Sequence, residues 1–251
     1  CQSRLRQWGM ALAAYTEDNQ GRLPATMSGM DALWLLRGAF ISNRDPNGSD
    51  DSLHGFRTKD IVCCPMATQP SGQGVSGGGV GSGGMSWFGR SYNFTLTFGS
   101  AFNAWEIRTP TPPFRGSYGF NLWLFKGFHR AFFDAPMLRD GRLDFNILSL
   151  RGRSGIPVLL DAMMPLSDPI DMWPPPSRPE GGSVGIQNFC MNRHQEYVDG
   201  LFLDWSVRKV GLKELWTLNW YAEFNRAGKW TKAGGVQPQD WPVWMRSFKD
   251  Y

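Results

Sequence analysis

The first 24 residues, CQSRLRQWGMALAAYTEDNQGRLP, constrain this chain more than any other stretch. Leu5, Trp8, Leu12 and Tyr15 recur at three- and four-residue spacing. They draw one apolar stripe along a helix and leave Arg4, Arg6, Glu17 and Asp18 off it. Gly21 suits the position just past a helix, and Pro24 lies beyond it. Nothing caps the front end, and the pattern is already regular at residue 2. We therefore expect 1–20 to be the lower part of a long N-terminal helix.

The middle of the chain supplies strands. DIVCCP reads as a short strand ended by Pro65, and SYNFTLTF (91–98) and SYGFNLWLF (117–125) alternate in the manner of strands. TPTPPF between the last two is an extended connector. Residues 156–161 read as a buried strand. Residues 200–204 and 206–210 read as two short β runs, with Leu201, Leu203 and Trp205 on one side and Phe202 on the other. Asp204 and Trp205 sit at the turn or a bulge between them.

A second helix is expected over 29–38, where Ser28 and Asp31 resemble a capping box ahead of Leu33, Trp34 and Leu36. Leu212, Leu215, Trp216 and Leu218 restart helical spacing and carry it to Phe224. A short helix over 240–248 would use Asp240 as N-cap with Pro242 in its first turn. Between these elements, SGQGVSGGGVGSGG marks a flexible Gly-rich loop over 71–90. It lacks the Gly-Lys-Ser/Thr ending of a phosphate loop.

Strands and helices do not alternate regularly, which disfavours a doubly wound parallel sheet. The expected class is α+β: an amphipathic N-terminal helix on a small antiparallel sheet, with long loops and a C-terminal hairpin and helix. Residues 1–225 would form the head and 226–251 an extension.

At 251 residues, 41% hydrophobic and 19% charged, the chain can bury a core and is globular. Its net charge of +4 is scattered, with Arg208–Lys209 the one adjacent basic pair, so no nucleic-acid partner is expected. No apolar run in these residues reaches the ~18 residues of a membrane span, and their start does not read as a signal peptide. The opening at Cys1 without a Met reads as a mature or truncated fragment.

Four cysteines without paired Cys-x-x-Cys motifs do not read as zinc ligands. Adjacent Cys63 and Cys64 would point to opposite faces of a strand and so reach different partners. Two disulfides in an oxidising compartment are expected. Of the three connectivities, Cys1 with Cys64 and Cys63 with Cys190 is the working one.

Catalytic signals are thin. His54, His129 and His194 are the only histidines, and no Gly-x-Ser-x-Gly or His-Glu-x-x-His motif occurs. A triad through His194 and Asp204 lacks the strand-to-helix elbow. We expect no catalytic residues and no obligatory cofactor. His194 with Asp199 or Asp204 is a candidate set for a divalent metal. Its structural alternative is a histidine that hydrogen-bonds a neighbouring segment and fixes the entry of the hairpin. Asp45, Asn47, Ser49 and Asp51 alternate like calcium ligands, but Asp50 and Phe56 stand where an EF-hand needs Gly and Glu.

Among twelve tryptophans, Trp8, Trp34, Trp123 and Trp216 are assigned to the core. Trp173, Trp230, Trp241 and Trp244 fall in loop or tail segments and are candidates for contacts with glycans or other surfaces.

Taken together, these residues resemble prepilin-type proteins, the class of type IV pilins and type II secretion pseudopilins. Cys1, Leu5, Arg6, Gln7, Gly9, Tyr15, Asp18, Asn19, Gly21 and Pro24 match the segment after the hydrophobic helix in that class. Cys64–Pro65 is similar to its Cys-Pro segment, and GSYGFNLW to its Gly-Ser-Tyr-Gly segment. His194 and Asp204 match the motif of the group named for His, nine residues, then Asp-Gly. Trp205 replaces that Gly, as in the subgroup carrying Trp-Ser-Val-Arg-Lys-Val-Gly.

The resemblance implies a pilin-like head and a non-enzymatic filament subunit. It also implies a hydrophobic helix ahead of Cys1 that holds the subunit in the inner membrane and then in the filament core. The protein would be exported to a surface filament or the periplasm, with copies of itself or related subunits as partners. It supplies no role for the His–Asp motif. A lipidated Cys1 is the rival explanation, but lipoproteins place a flexible tether after that cysteine and this chain places a helix there.

Overall fold

The computed structural model describes residues 1–21, 23, 61–67, 80–87, 90–109, 114–124 and 152–251. The expected helix over 29–38 with Trp34, the Asp45–Asn47–Asp51 loop and residues 71–79 lie outside the described residues.

The N-terminal pattern folds as one α-helix, α1 (Gln2–Asp18). It ends where Gln20 and Gly21 turn left-handed, φ 57° and 73°, and the Gly21 N–H closes on Thr16 O at 2.7 Å. Glycine takes that conformation at least cost, so Gly21 stops the helix. Leu5, Trp8 and Leu12 are buried and Tyr15 is half-buried.

Nine strands form two sheets among the described residues. β1 (Val80–Trp87), β2 (Arg90–Thr97), β3 (Trp105–Thr109) and β4 (Phe114–Gly116) make an antiparallel sheet in chain order. β5 (Tyr118–Asn121), β6 (Pro157–Asp161), β7 (Leu166–Ser167), β8 (Tyr197–Phe202) and β9 (Val207–Gly211) make the second, in the order β7-β5-β6-β8-β9. All its pairs are antiparallel except β5–β7. The class is mixed α+β.

The five-stranded sheet is buried on both faces. Alternation along β8 sends Leu201 toward α1, while Val198 and Phe202 face the opposite side. The α1 side gathers Leu5, Trp8 and Leu12 with Tyr118, Phe120, Leu159 and Leu201, and Trp8 meets Phe120 edge-on at 6.4 Å. Gly9 lets the helix approach closely, since a Cβ there would lie 2.9 Å from a Leu201 methyl. The opposite side is covered by the C-terminal segment. Phe189 stacks on Trp220 at 5.0 Å, and Trp241 lies against both Trp216 and Trp230.

Several expectations are corrected. Residues 61–67 form bends and turns rather than a strand. Their polar groups are taken up one by one: Val62 O accepts from Ser117 N, Ile61 O from Trp8 Nε1, and Cys63 O from Arg4. No ladder remains to be made. The Gly-rich loop expected over 71–90 contains β1, whose backbone pairs with β2 from Val80↔Thr97 to Trp87↔Arg90. A ladder needs main-chain groups only, so low side-chain content did not forbid it.

The helix expected after Leu212 is a single 3-10 stretch, Lys213–Thr217. Leu218 turns extended, Asn219 N bonds Gly155 O, and Asn121 Nδ2 donates to Trp220 O, so the chain is pulled off the helical path. The expected helix over 240–248 is replaced by two 3-10 turns, Pro238–Asp240 and Val243–Met245. Asp240 is not the N-cap. Gln237 is, and the Asp240 carboxylate accepts from the Gln237 N–H at 2.8 Å. Within the expected C-terminal extension 226–251, Trp230, Trp241 and Met245 are buried in the tail-side core, and Tyr251 O accepts from Lys232 N.

Candidate functional site

Among the described residues, the most concentrated polar chemistry lies on the α1 side of the five-stranded sheet, beside the first turn of the helix. β6 is an apolar run that ends in Asp161, and β8 places Asp199 next to it. Asp161 is fully buried, so its charge must be matched nearby. Arg193 matches it. Nη1 donates to Asp161 Oδ1 at 2.7 Å and to Ser117 O at 2.8 Å, Nε to Ala101 O and Nη2 to Ser100 O. That guanidinium, also 0% exposed, joins β6 to the loop between β2 and β3 and thereby couples the two sheets.

His194 comes directly after it. Its Nε2 lies 3.1 Å from Asp161 Oδ2, 3.5 Å from Cys64 Sγ and 3.8 Å from Asp199 Oδ2. An ionised carboxylate only accepts, so Nε2 carries the proton and donates it to Asp161. The ring is 12% exposed and stacks on Tyr197, whose hydroxyl accepts from Lys209. Asp161 Oδ2 also accepts from the Asp199 N–H, and Asp199 Oδ1 from Gln2 Nε2. Burial works against ionisation of Asp161. Arg193, the His194 hydrogen bond and the Asp199 N–H outweigh it and hold the carboxyl below the ordinary range.

Asp204 is not part of this set. It sits in the β8–β9 turn, where its carboxylate accepts from the Ser206 N–H and hydroxyl while Trp205 takes φ 65°. The His194–Asp204 pairing is therefore corrected to His194–Asp161, with Asp199 alongside. Asp204 shapes the turn. Sequence reading missed Asp161 and Arg193. The available signal was a carboxylate closing an apolar run and an arginine immediately before the histidine.

Cys1 and Cys64 are bridged, tying the start of α1 to the 61–67 turn. The second expected bridge does not form: Cys63 and Cys190 are free thiols. They lie on opposite sides of the five-stranded sheet, Cys63 packing with the α1-side core and Cys190 buried in the tail-side core. Burial raises the pKa of both thiols.

The loop tryptophans divide. Trp230 and Trp241 are buried, which corrects their assignment as surface contacts: the tail folds back, and both rings join the cluster around Trp216. Trp244 is half-buried, its Nε1 donating to Pro176 O. Trp173 remains 40% exposed.

The arrangement is built to hold segments together. Asp161 accepts from both Arg193 and His194, and Arg193 also donates to three backbone carbonyls. No family model, curated protein or solved structure matches this chain.

Proposed function

We propose that this chain is the head of a non-enzymatic structural subunit of a type IV pilus-like or type II secretion pseudopilus-like filament. The observation that carries the reading is the way α1 is used. One stripe, Leu5, Trp8 and Leu12, is buried on the sheet, and the first turn is fastened by the Cys1–Cys64 bridge. The opposite stripe, Ser3, Arg6, Gln7, Met10, Ala14, Glu17 and Asp18, faces outward, with Met10 63% exposed. A helix fixed rigidly to its head along one stripe, with the other left open, suits a subunit whose neighbours pack against that helix. Its partners would be copies of itself or related subunits. An apolar helix ahead of Cys1 would hold it in the inner membrane before assembly into a surface or periplasmic filament.

The test is to read the natural coding sequence upstream of Cys1 and express that complete chain in its own host. The expected result is a short basic leader, a prepilin-peptidase site and about 20 apolar residues. Met10→Cys subunits should then cross-link to one another in sheared filaments. A lipobox, an ordinary cleaved signal, or a processed chain that stays monomeric would contradict the proposal.

A further inference from the structure

Four groups that can ligate a metal converge beside the first turn of α1: the sulfurs of Cys1 and Cys64, His194 and Asp161. Their ligand atoms all lie within 4.8 Å of one another. As the chain stands, the sulfurs are bonded to each other and the imidazole proton bridges to the carboxylate. We propose that reduction of the Cys1–Cys64 bridge converts this cluster into a tetrahedral site for a thiophilic divalent cation of the zinc class, and that reoxidation by a disulfide oxidant, which takes up the two electrons and leaves as its dithiol, expels the ion. The proposal is independent of the filament reading.

The geometry suits the ion. Bond lengths of about 2.0–2.3 Å imply tetrahedral edges of roughly 3.3–3.8 Å. Two edges already stand near that range: His194 Nε2 to Cys64 Sγ at 3.5 Å and to Asp161 Oδ2 at 3.1 Å. Once unbonded, the two sulfurs need only a side-chain rotation to span a third. The supporting contacts are in place as well. Asp161 is oriented by Arg193 and the Asp199 N–H, the Cys64 N–H donates to Ser117 Oγ, and Cys1 O accepts from the Arg4 and Leu5 N–H groups. The charges balance, with two thiolates and a carboxylate set against a dication and the Arg193 guanidinium. The exposed part of the His194 ring gives an ion a route in from solvent.

The redox step is thiol–disulfide exchange. A dithiol reductant supplies two electrons and two protons, the Cys1–Cys64 bond breaks to give two thiols, and the reductant leaves as its own disulfide. Metal binding releases both thiol protons to solvent, while the histidine proton moves from Nε2 to Nδ1. In the oxidised chain the sulfurs are not thiolates, and the remaining His–Asp pair is too small a set to hold the ion tightly.

The experiment uses the full chain, reduced with dithiothreitol and freed of it anaerobically, beside the oxidised chain, with Co2+ and Zn2+ as probes. The reduced chain should bind one equivalent of Co2+, with a sulfur-to-cobalt charge-transfer band and the visible bands of a tetrahedral ion. Zn2+ should displace it, and oxidation should release it. Cys63→Ser should leave the spectrum intact. Cys64→Ser, which leaves Cys1 as the one remaining sulfur, should at least halve the charge-transfer intensity, and His194→Gln should weaken binding at least tenfold with circular dichroism unchanged. Binding by the oxidised chain with the same spectrum would overturn the proposal. So would loss of the site on Cys63→Ser, indifference to His194→Gln, or a reduced chain that neither binds the ion nor is refolded by it.

Discussion

The two faces of the five-stranded sheet are covered by different means. On one face a single regular helix lays down Leu5, Trp8 and Leu12, and long-range polar and covalent links fasten that side: Arg193 with Asp161, Gln2 with Asp199, Cys1 with Cys64. On the other face the cover has almost no regular structure. Phe189, Trp216, Trp220, Trp230 and Trp241 fill it as separate rings, and one buried lysine, Lys213, reaches Asp250 at 2.7 Å over the Trp241 ring. A helix presents a narrow stripe and needs fasteners to fix its register. An aromatic-rich tail brings enough surface to be held mainly by packing, with a few polar links such as Lys213–Asp250 and Asn121 to Trp220 O. The α1 side should therefore respond to charge, reductant and acid, and the tail side to loss of ring volume.

The largest effect expected is on the α1 side. Arg193→Ala leaves the buried Asp161 without its charged partner, held only by His194 and the Asp199 N–H, takes a donor from three carbonyls, and should cost about 3–5 kcal/mol in denaturant unfolding. Trp220→Ala should cost about 3–4 kcal/mol, equally in oxidised and reduced protein, because Trp220 packs in the tail-side core. Reduction of the bridge, or Cys64→Ser, should cost on the order of 2–4 kcal/mol without added metal, given a 63-residue separation between the cysteines. A Trp220→Ala variant that responds differently to reductant would break the comparison.

Acid should act on two carboxylates with opposite sign. The native Asp161 pKa is depressed, so its contribution is fully present above the unfolded value of about 3.9 and is lost as pH falls through the native value. Asp168, next to β7, behaves oppositely. Burial raises its pKa to about 6, so its cost is absent below the unfolded value and develops as pH rises toward 6. Asp168→Asn should therefore stabilise at pH 7 by on the order of 1 kcal/mol, the smallest of these changes, and have no effect at pH 3. Thermal unfolding across that range checks both signs.

Legibility in the sequence divides along the same line. The helix, its stop at Gly21 and the β8–β9 hairpin rest on periodicity and turn chemistry, which are local, and they are present as α1, β8 and β9. The tail misled because Leu212, Leu215, Trp216 and Leu218 keep helical spacing while non-local bonds to Gly155 and Asn121 decide their path. At the site, His194 was legible and its partner was not. Asp204 is near in sequence, whereas Asp161 is brought close by the antiparallel pairing of β6 with β8. The expected Cys1–Cys64 bridge is present, while the Cys63–Cys190 pairing failed for the same reason, since only the sheet shows that these two lie on opposite sides of it.

The most direct test of the His194–Asp161 fastening is a pair of double-mutant cycles on the oxidised, metal-free chain. One joins His194→Ala to Asp161→Asn and the other joins it to Asp204→Asn. The expected result is a coupling of about 1–3 kcal/mol for His194 with Asp161 and none beyond error for His194 with Asp204. Coupling to Asp204 in place of Asp161 would contradict it.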